Sequence, residues 1–288
     1  MGRVLAVSLT LVSAPTVLLA APQAVAVDSF AEGRIDAVDT INKTITVMGV
    51  VISVPNGTPI QSPSASLSLS DVSAAPALPQ RTQNGFLCGT ALVSGTTLNG
   101  TFTATDVAVE VAENVILGPL TLNTISAGQT LGAAGTQFRI LGLELRPTGD
   151  ARLPLEATVQ GFNVNLATVP VDSLTSAQGY LGLDGALYVN LIEASAGQAL
   201  GAANQTSITR TRCVVGGRLE VQGASTTPTG TVTIRNNVTN ALIGTATLVP
   251  DVTGFGLYNF RNGKNLSSCP ASVKVVNSNG SQAIAAIQ

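Results

Sequence analysis

The sequence predicts an all-β protein with two or three β-sandwich or small-barrel modules in tandem. β-branched residues are interrupted throughout by glycine and asparagine, which favours short strands and tight turns over helices. Charged residues make up 10% of the chain, against about 25% in an average globular protein, while hydrophobic residues make up 45%. This apolar content argues against disorder, and 288 residues are enough for several separate cores.

The first 26 residues have the layout of a secretory signal peptide. Arg3 provides a short positive start, residues 4–19 are mostly apolar, and Ala24-Val25-Ala26 is a small-x-small site for cleavage before Val27. We therefore expect an exported protein that acts outside the cell, at the cell surface or in the periplasm. No later stretch holds about 18 apolar residues free of glycine, asparagine and charge, so no integral membrane insertion is expected.

A hairpin pattern follows the leader. Residues 33–39 roughly alternate polar and apolar side chains, residues 40–43 are turn-like, and the alternation resumes up to residue 54. This stretch has the pattern Gly-x-Ile/Val-x-x-Val-Asp, followed by an Asn-containing turn and then by Thr-Ile-x-Val. The matching residues are Gly33, Ile35, Val38, Asp39, Asn42, Thr44, Ile45 and Val47. On these residues, the stretch 33–54 resembles a small β-domain family of unknown function from exported bacterial proteins. The resemblance implies a bacterial β-domain and brings no activity with it.

A recurring decamer predicts two β-modules in the body of the chain. The segment 126–135 recurs at 195–204 with eight of ten positions identical. We place an N-terminal β-module at 27–135, with a Pro/Ser-rich excursion at 55–83, and a second, duplicated β-module at 136–204. Compositional bias is the other explanation for the matching decamers.

The segment 205–288 carries the clearest strand pattern. Five or more short strand-like segments recur at turn spacing over about 80 residues, which favours a β-sandwich. Their order resembles the immunoglobulin-like modules of bacterial surface proteins, and the resemblance implies an architecture without a functional site. The tryptophan of the antibody-type core is absent, because the chain contains no tryptophan.

Three cysteines in an exported chain predict one disulfide and one remaining thiol. Cys213 and Cys269 belong to the same module, and we expect them to form a disulfide that ties down a terminus, with Cys213 before the first clear strand. Cys88 is left over. We interpret it as a buried strand cysteine, with an intermolecular link or a reactive thiol as the alternatives.

The residue types present leave little room for catalysis. The chain has no histidine, which excludes Ser-His-Asp and Cys-His arrangements, and its cysteines are too scattered for a zinc site. Three carboxylate pairs remain open to glycoside hydrolysis or, for the first pair, calcium binding: Asp36/Asp39, Glu110/Glu113 and Glu144/Asp150. We interpret all three pairs as solvated acids. We expect no enzyme activity, no catalytic residue, no cofactor and no metal.

Charge is distributed unevenly along the predicted mature chain. Residues 27–204 contain 6 basic and 14 acidic residues, a net of −8, and residues 205–288 contain 7 basic and 2 acidic residues, a net of +5. This polarity allows head-to-tail contact between copies, although chance variation between modules explains it equally well. The basic residues are scattered and form no evident stacking platform with aromatics, so nucleic acid is not an expected partner.

The predicted function is that of an exported structural or adhesive component of the cell surface or extracellular matrix. Its partner would be a protein, including copies of itself, engaged through strand edges and loops. The alternative is a monomeric periplasmic or secreted binding module for carbohydrate or protein. A concave aromatic patch built from Tyr180, Tyr188 or Tyr258 would favour that alternative.

Overall fold

The computed structural model describes residues 25–74, 77–111, 114–201, 203–262 and 268–287. Strands make up 54% and helices 3% of the structure, which confirms the predicted all-β fold class. The predicted signal peptide lies outside the described residues, apart from its last two positions. In the described ranges, no helix has the length and apolar character needed to cross a bilayer.

The first unit, residues 27–111, contains a small barrel. Its elements are β1 (Val27–Asp39), β2 (Thr44–Val47), β3 (Val50–Ser53), β4 (Ile60–Gln61), β5 (Ser66–Leu67), α1 (Leu69–Ser73), β6 (Thr90–Leu98) and β7 (Thr101–Glu110). β1, β2 and β3 form an antiparallel meander, and the hairpin β6–β7 joins it through an antiparallel β1–β6 ladder. Parallel pairing of Ile52 with Phe102 then links β3 to β7 and closes a ring of five strands.

The second unit, residues 114–199, repeats this connectivity. Its strands are β8 (Asn114–Asn123), β9 (Phe138–Ile140), β10 (Leu143–Pro147), β11 (Glu156–Val159), β12 (Phe162–Asn165), β13 (Leu174–Leu181), β14 (Leu187–Ala194) and β15 (Gln198–Ala199), with a 3₁₀ turn at Leu166–Thr168. Parallel pairing of Leu145 with Leu187 closes its ring. The boundary predicted after residue 135 therefore cuts through this sheet, because β8 pairs with β9 and β13.

The two barrels agree in register as well as in strand order. A bulge interrupts the first ladder between Ile35 and Ala37 in one barrel and between Leu120 and Leu122 in the other. A five-stranded Greek-key barrel of this connectivity has the architecture of the oligonucleotide/oligosaccharide-binding fold. That architecture hosts many functions, so it does not identify a ligand.

The matching decamers do not lie at equivalent places in the two barrels. The segment 126–135 connects β8 to β9, at the start of the second barrel, whereas the segment 195–204 follows β14 and includes β15. The similarity of the barrels is therefore carried by the strand ladders, and the decamers do not mark the limits of the units.

The third unit, residues 206–287, is a sandwich of two four-stranded sheets. Its strands are β16 (Thr206–Cys213), β17 (Leu219–Ser225), β18 (Thr231–Asn236), β19 (Leu242–Thr247), β20 (Val249–Pro250), β21 (Gly256–Arg261), β22 (Ser272–Asn277) and β23 (Gln282–Ala286). The sheet orders β16-β17-β21-β20 and β19-β18-β22-β23 correspond to A-B-E-D and C′-C-F-G of an immunoglobulin-like sandwich. Val221, Ile234, Val273 and Val275 alternate inward and lie in the core between the sheets.

The predicted disulfide joins Cys213 to Cys269, with their Cα atoms 5.9 Å apart. Its placement differs from the expectation. Cys213 is the last residue of the first strand, β16, and Cys269 lies in the loop before β22. The bond therefore links the edge of one sheet to the other sheet at one end of the sandwich, because β16 and β22 belong to opposite sheets.

The units pack against one another in chain order. Leu153, Tyr180 and Tyr188 of the second unit belong to the hydrophobic core of the first. Across this junction, the Ser62 hydroxyl donates to the Arg152 carbonyl over 2.7 Å, and the Arg152 guanidinium donates to the Ala74 carbonyl over 3.3 Å. These contacts join the two barrels through side chains that lie between them.

An aromatic pair forms the junction between the second barrel and the sandwich. Phe162 of β12 stacks on Phe255 of the sandwich, with 5.6 Å between ring centroids. The Ser207 hydroxyl donates to the Gln160 carbonyl over 2.6 Å beside this pair. The second barrel is thus held at both of its ends by packed contacts.

Candidate interaction surface

The two carboxylates of the first predicted pair, Asp36 and Asp39, stabilise two different turns. Asp36 accepts the Gly49 backbone N–H at 2.7 Å and the Arg34 Nε–H at 2.8 Å. Asp39 accepts the backbone N–H groups of Ile41 and Asn42, each at 2.9 Å. The hydrogen bond from the Gly49 backbone is the main cause that lowers the pKa of Asp36. The hydrogen bond from the Asn42 backbone is the main cause that lowers the pKa of Asp39. Their oxygens therefore fix the two turns of the β1–β2–β3 meander.

The other predicted pairs are not brought together as pairs. Glu144 bridges Arg139 and Arg146 at 3.3 and 3.2 Å, whereas Asp150 binds Arg152 at 2.6 Å. Glu110 ends β7, and Glu113 lies outside the described residues. In the part of the chain that the structure describes, no cluster of three or more cysteines and carboxylates is placed to hold a metal ion.

The three tyrosines whose exposed patch would favour a binding module are buried. Tyr180 and Tyr188 stack at 5.5 Å in the junction between the barrels, where the Tyr180 hydroxyl donates to the Pro79 carbonyl over 2.8 Å. Tyr258 lies in the sandwich core and donates to the Ser207 carbonyl over 2.6 Å. These three rings fill junctions and cores, so they do not supply the aromatic patch that would favour a binding module.

Cys88 is also placed differently from its main interpretation. It is exposed and lies in a turn with a φ of 61°, ahead of β6. Its backbone N–H donates to the Ile35 carbonyl over 3.0 Å. The expectation of a buried strand cysteine is wrong, because this segment forms the turn that leads into β6.

An exposed apolar surface on the second barrel was not anticipated from the sequence. Val115 and Leu117 on β8 are 67% and 61% exposed. Leu174 of β13 is exposed beside them and pairs with Pro119, whereas Leu141 lies over Gly118 on the other side of β8. We call this surface the apolar face and define it as Val115, Leu117, Pro119 and Leu174.

The first barrel shows that the fold does not require an apolar surface at these positions. Because the ladders share one register, each residue of the apolar face has an equivalent in the first barrel. The equivalents of Val115, Leu117, Pro119 and Leu174 are, in the same order, Phe30, Glu32, Arg34 and Thr90. Two charged residues and a threonine thus replace two leucines and a proline, and Phe30 is the apolar residue among the four equivalents.

The apolar face also borders an open strand edge. In the described ladders, residues 114–118 of β8 pair with β13 on one side, and the ladder with β9 begins only at Leu120. The stretch 114–118 carries no charge, whereas the equivalent stretch 29–33 of β1 includes Glu32. Charged side chains are a common protection against unwanted edge pairing. The second barrel therefore presents an edge without this protection.

The sequence contained part of the evidence for the apolar face. Val115-Ile116-Leu117 is an uncharged run rich in β-branched residues, which predicts a strand. Its exposure could not be predicted, because it depends on which face of β8 is directed towards the barrel core.

Comparison with known proteins adds no relative. No protein-family model matches the chain, and none of the curated proteins matches it. The role of the apolar face is therefore inferred from its exposed side chains and from the neighbouring strand edge.

Proposed function

We propose that this protein is an exported structural or adhesive component of the cell surface or extracellular matrix, and that it assembles with copies of itself. The observation that carries the proposal is the apolar face next to the open edge of β8. Large exposed apolar patches on monomers mark interaction sites, and an open edge provides backbone groups for a further strand.

The remaining architecture is consistent with this role. Three β-units packed in series form a scaffold whose junctions are filled by buried tyrosine and phenylalanine rings. A disulfide such as Cys213–Cys269 is typical of proteins that fold in oxidising compartments, which supports export.

Estimated free energies indicate that burial of the apolar face and pairing of the strand edges act together in assembly. Full burial of a valine or leucine side chain contributes about 1.5–3 kcal/mol, and these side chains, already partly covered, would gain about half of that. The three valine and leucine side chains of the apolar face on each of two copies would together reach the lower part of the association cost of about 4–15 kcal/mol. Backbone pairing along β8 would then set the geometry and supply the remaining affinity.

The double variant Val115→Lys/Leu117→Lys tests this proposal. Light scattering of the chain that begins at Val27 should show concentration-dependent assembly for the parent, and the variant should remain monomeric because two charges would face each other across the edge. The control is Ile41→Lys, which adds a charge at a side chain that is 89% exposed in the β1–β2 turn. A parent that stays monomeric at every concentration and salt would contradict the proposal.

A groove favours the alternative of a binding module for a polar ligand. It has a volume of about 520 Å³ and lies where the second barrel meets the sandwich. Gln160, Gln222, Asn259 and Thr209 line it and offer amide and hydroxyl groups suited to carbohydrate. A monomeric parent that binds oligosaccharide, with affinity lost in Asn259→Ala, would favour this function over assembly.

A further inference from the structure

The outer face of the β16–β17–β21 sheet carries a concentrated positive charge. Arg212, Glu220 and Arg261 form one rung across three neighbouring strands. Glu220 is buried, and its Oε1 accepts from Arg218 Nε and Arg261 Nε, each at 3.1 Å. Arg210 lies two residues before Arg212 and therefore on the same side of β16. We call Arg210, Arg212, Arg218 and Arg261 the basic face.

One carboxylate cannot neutralise four guanidinium groups. The four arginines are exposed, and Glu220 is the carboxylate that they surround, which leaves an excess of three positive charges. The other acid of this unit, Asp251, accepts the Thr253 and Phe255 backbone N–H groups in a turn. The basic face therefore presents a local positive potential to solvent.

The first barrel presents the complementary charge. Asp28, Phe30 and Glu32 alternate along β1 and share its outer side. Asp106 of β7 extends this wall, because Ser94 of β6 pairs with both Phe30 and Asp106. We call Asp28, Glu32 and Asp106, with Phe30 between them, the acidic wall. Within the described ranges, none of its three carboxylates forms an ion pair.

We propose that the basic face of one copy docks on the acidic wall of the next copy. The contact rests on the proposed function only in taking a second copy as the partner, since it shares no residue with the apolar face. Phe30, 60% exposed at the centre of the wall, offers a ring on which an arginine can stack. The contact is heterologous, so each docked copy leaves one basic face and one acidic wall free, and assembly continues head to tail.

Reciprocal charge reversal tests the contact. The variant Arg210→Glu/Arg212→Glu reverses the basic face while leaving both ion pairs of Glu220 intact, and Asp28→Arg/Glu32→Arg reverses the acidic wall. Sedimentation at about 0.05 M NaCl should show association weakened by about tenfold or more in either variant, because close charge pairs across an interface contribute strongly. An equimolar mixture of the two variants should recover association, since each reversed surface then meets its complement. Recovery also shows that both variants are folded.

The control variant is Arg235→Glu, which reverses a charge on the opposite sheet and should leave association unchanged. Raising the salt to about 0.5 M NaCl should weaken the contact, whereas contact through the apolar face should persist, so the two surfaces are distinguishable. The proposal would be overturned if association were insensitive to salt or if the mixture of reversed variants failed to associate. Loss of binding to an acidic polysaccharide in Arg210→Glu/Arg212→Glu, with self-association unchanged, would also overturn it.

Discussion

At the scale of single residues, glycines keep the two barrels in the same register. Gly49 and Gly142 occupy equivalent two-residue hairpin turns with φ values of 79° and 86°, which other residues rarely adopt. Gly95 and Gly179 lie at equivalent bulges, where a Cβ would collide with the carbonyl oxygen of Thr103 or Tyr188. The barrels thus share backbone constraints although most of their side chains differ.

The bulge at Gly179 provides a prediction at this scale. We expect Gly179→Ala to lower the free energy of unfolding by about 1–3 kcal/mol, the usual effect of overpacking. Urea unfolding followed by circular dichroism measures the change. Ser176→Ala, on the same strand with its hydroxyl at the surface, is the control and should shift the midpoint little. Equal stability of Gly179→Ala and the parent would show that the bulge tolerates a side chain.

At the scale of elements, the helix α1 depends on its cap. Five residues are too few for an independently stable helix. The Ser68 hydroxyl accepts the Asp71 backbone N–H at 3.3 Å, and the Asp71 carboxylate accepts the Ser68 backbone N–H at 2.7 Å. Leu69 and Val72 then anchor the helix in the core of the first barrel. This capping box was visible in the sequence as Ser-x-x-Asp, within the segment 55–83 that we predicted to be a flexible excursion.

The cap makes the stability of the first barrel depend on pH. The hydrogen bond from the Ser68 side chain is the main cause that lowers the pKa of Asp71 below its ordinary value of 3.8. The stabilisation is therefore present above pH 3.8 and is lost as the pH falls through the lowered pKa. We expect Ser68→Ala to cost about 0.5–2 kcal/mol at neutral pH, with a smaller difference from the parent in acid. Urea titrations of both proteins at neutral and acidic pH measure it, and a difference that grows in acid would contradict this account.

At the scale of the whole molecule, the packed junctions hold the three units in series. Tyr180 is shared between the barrels, with the Arg81 guanidinium carbon 6.0 Å from its ring centroid. Burial raises the pKa of Tyr180 well above its ordinary value of 10.0. An ionised phenolate would have to leave this junction, because the site cannot solvate it.

This burial predicts a loss of stability in alkali. The contribution of Tyr180 is fully present below pH 10.0, the ordinary value, and is lost as the pH rises towards the raised pKa. Unfolding midpoints measured between neutral pH and the alkaline range should therefore fall, and Tyr180→Phe should reduce the fall. Tyr258 is buried in the sandwich and has a raised pKa for the same reason, so part of the fall should remain. An identical alkaline profile in the variant would show that Tyr180 is not responsible.

Local sequence patterns predicted the fold class and much of the third unit. The short strand-like segments predicted for residues 205–288 are present, for example as β18 and β22, and the pairing of Cys213 with Cys269 was correct. These features are local or combinatorially simple: alternation is a property of neighbouring residues, and three cysteines allow few pairings.

Long-range packing determines which strands share a sheet and which side chains remain exposed. β8 belongs to the second barrel because it pairs with β13, far along the chain, and no local pattern reports that pairing. Val115 and Leu117 remain exposed because they lie on the side of β8 opposite the barrel core, while packing between the barrels buries Tyr180. Local sequence specifies the face of a strand, but the free energy of long-range packing decides whether that face lies in a core, in a junction or at the surface.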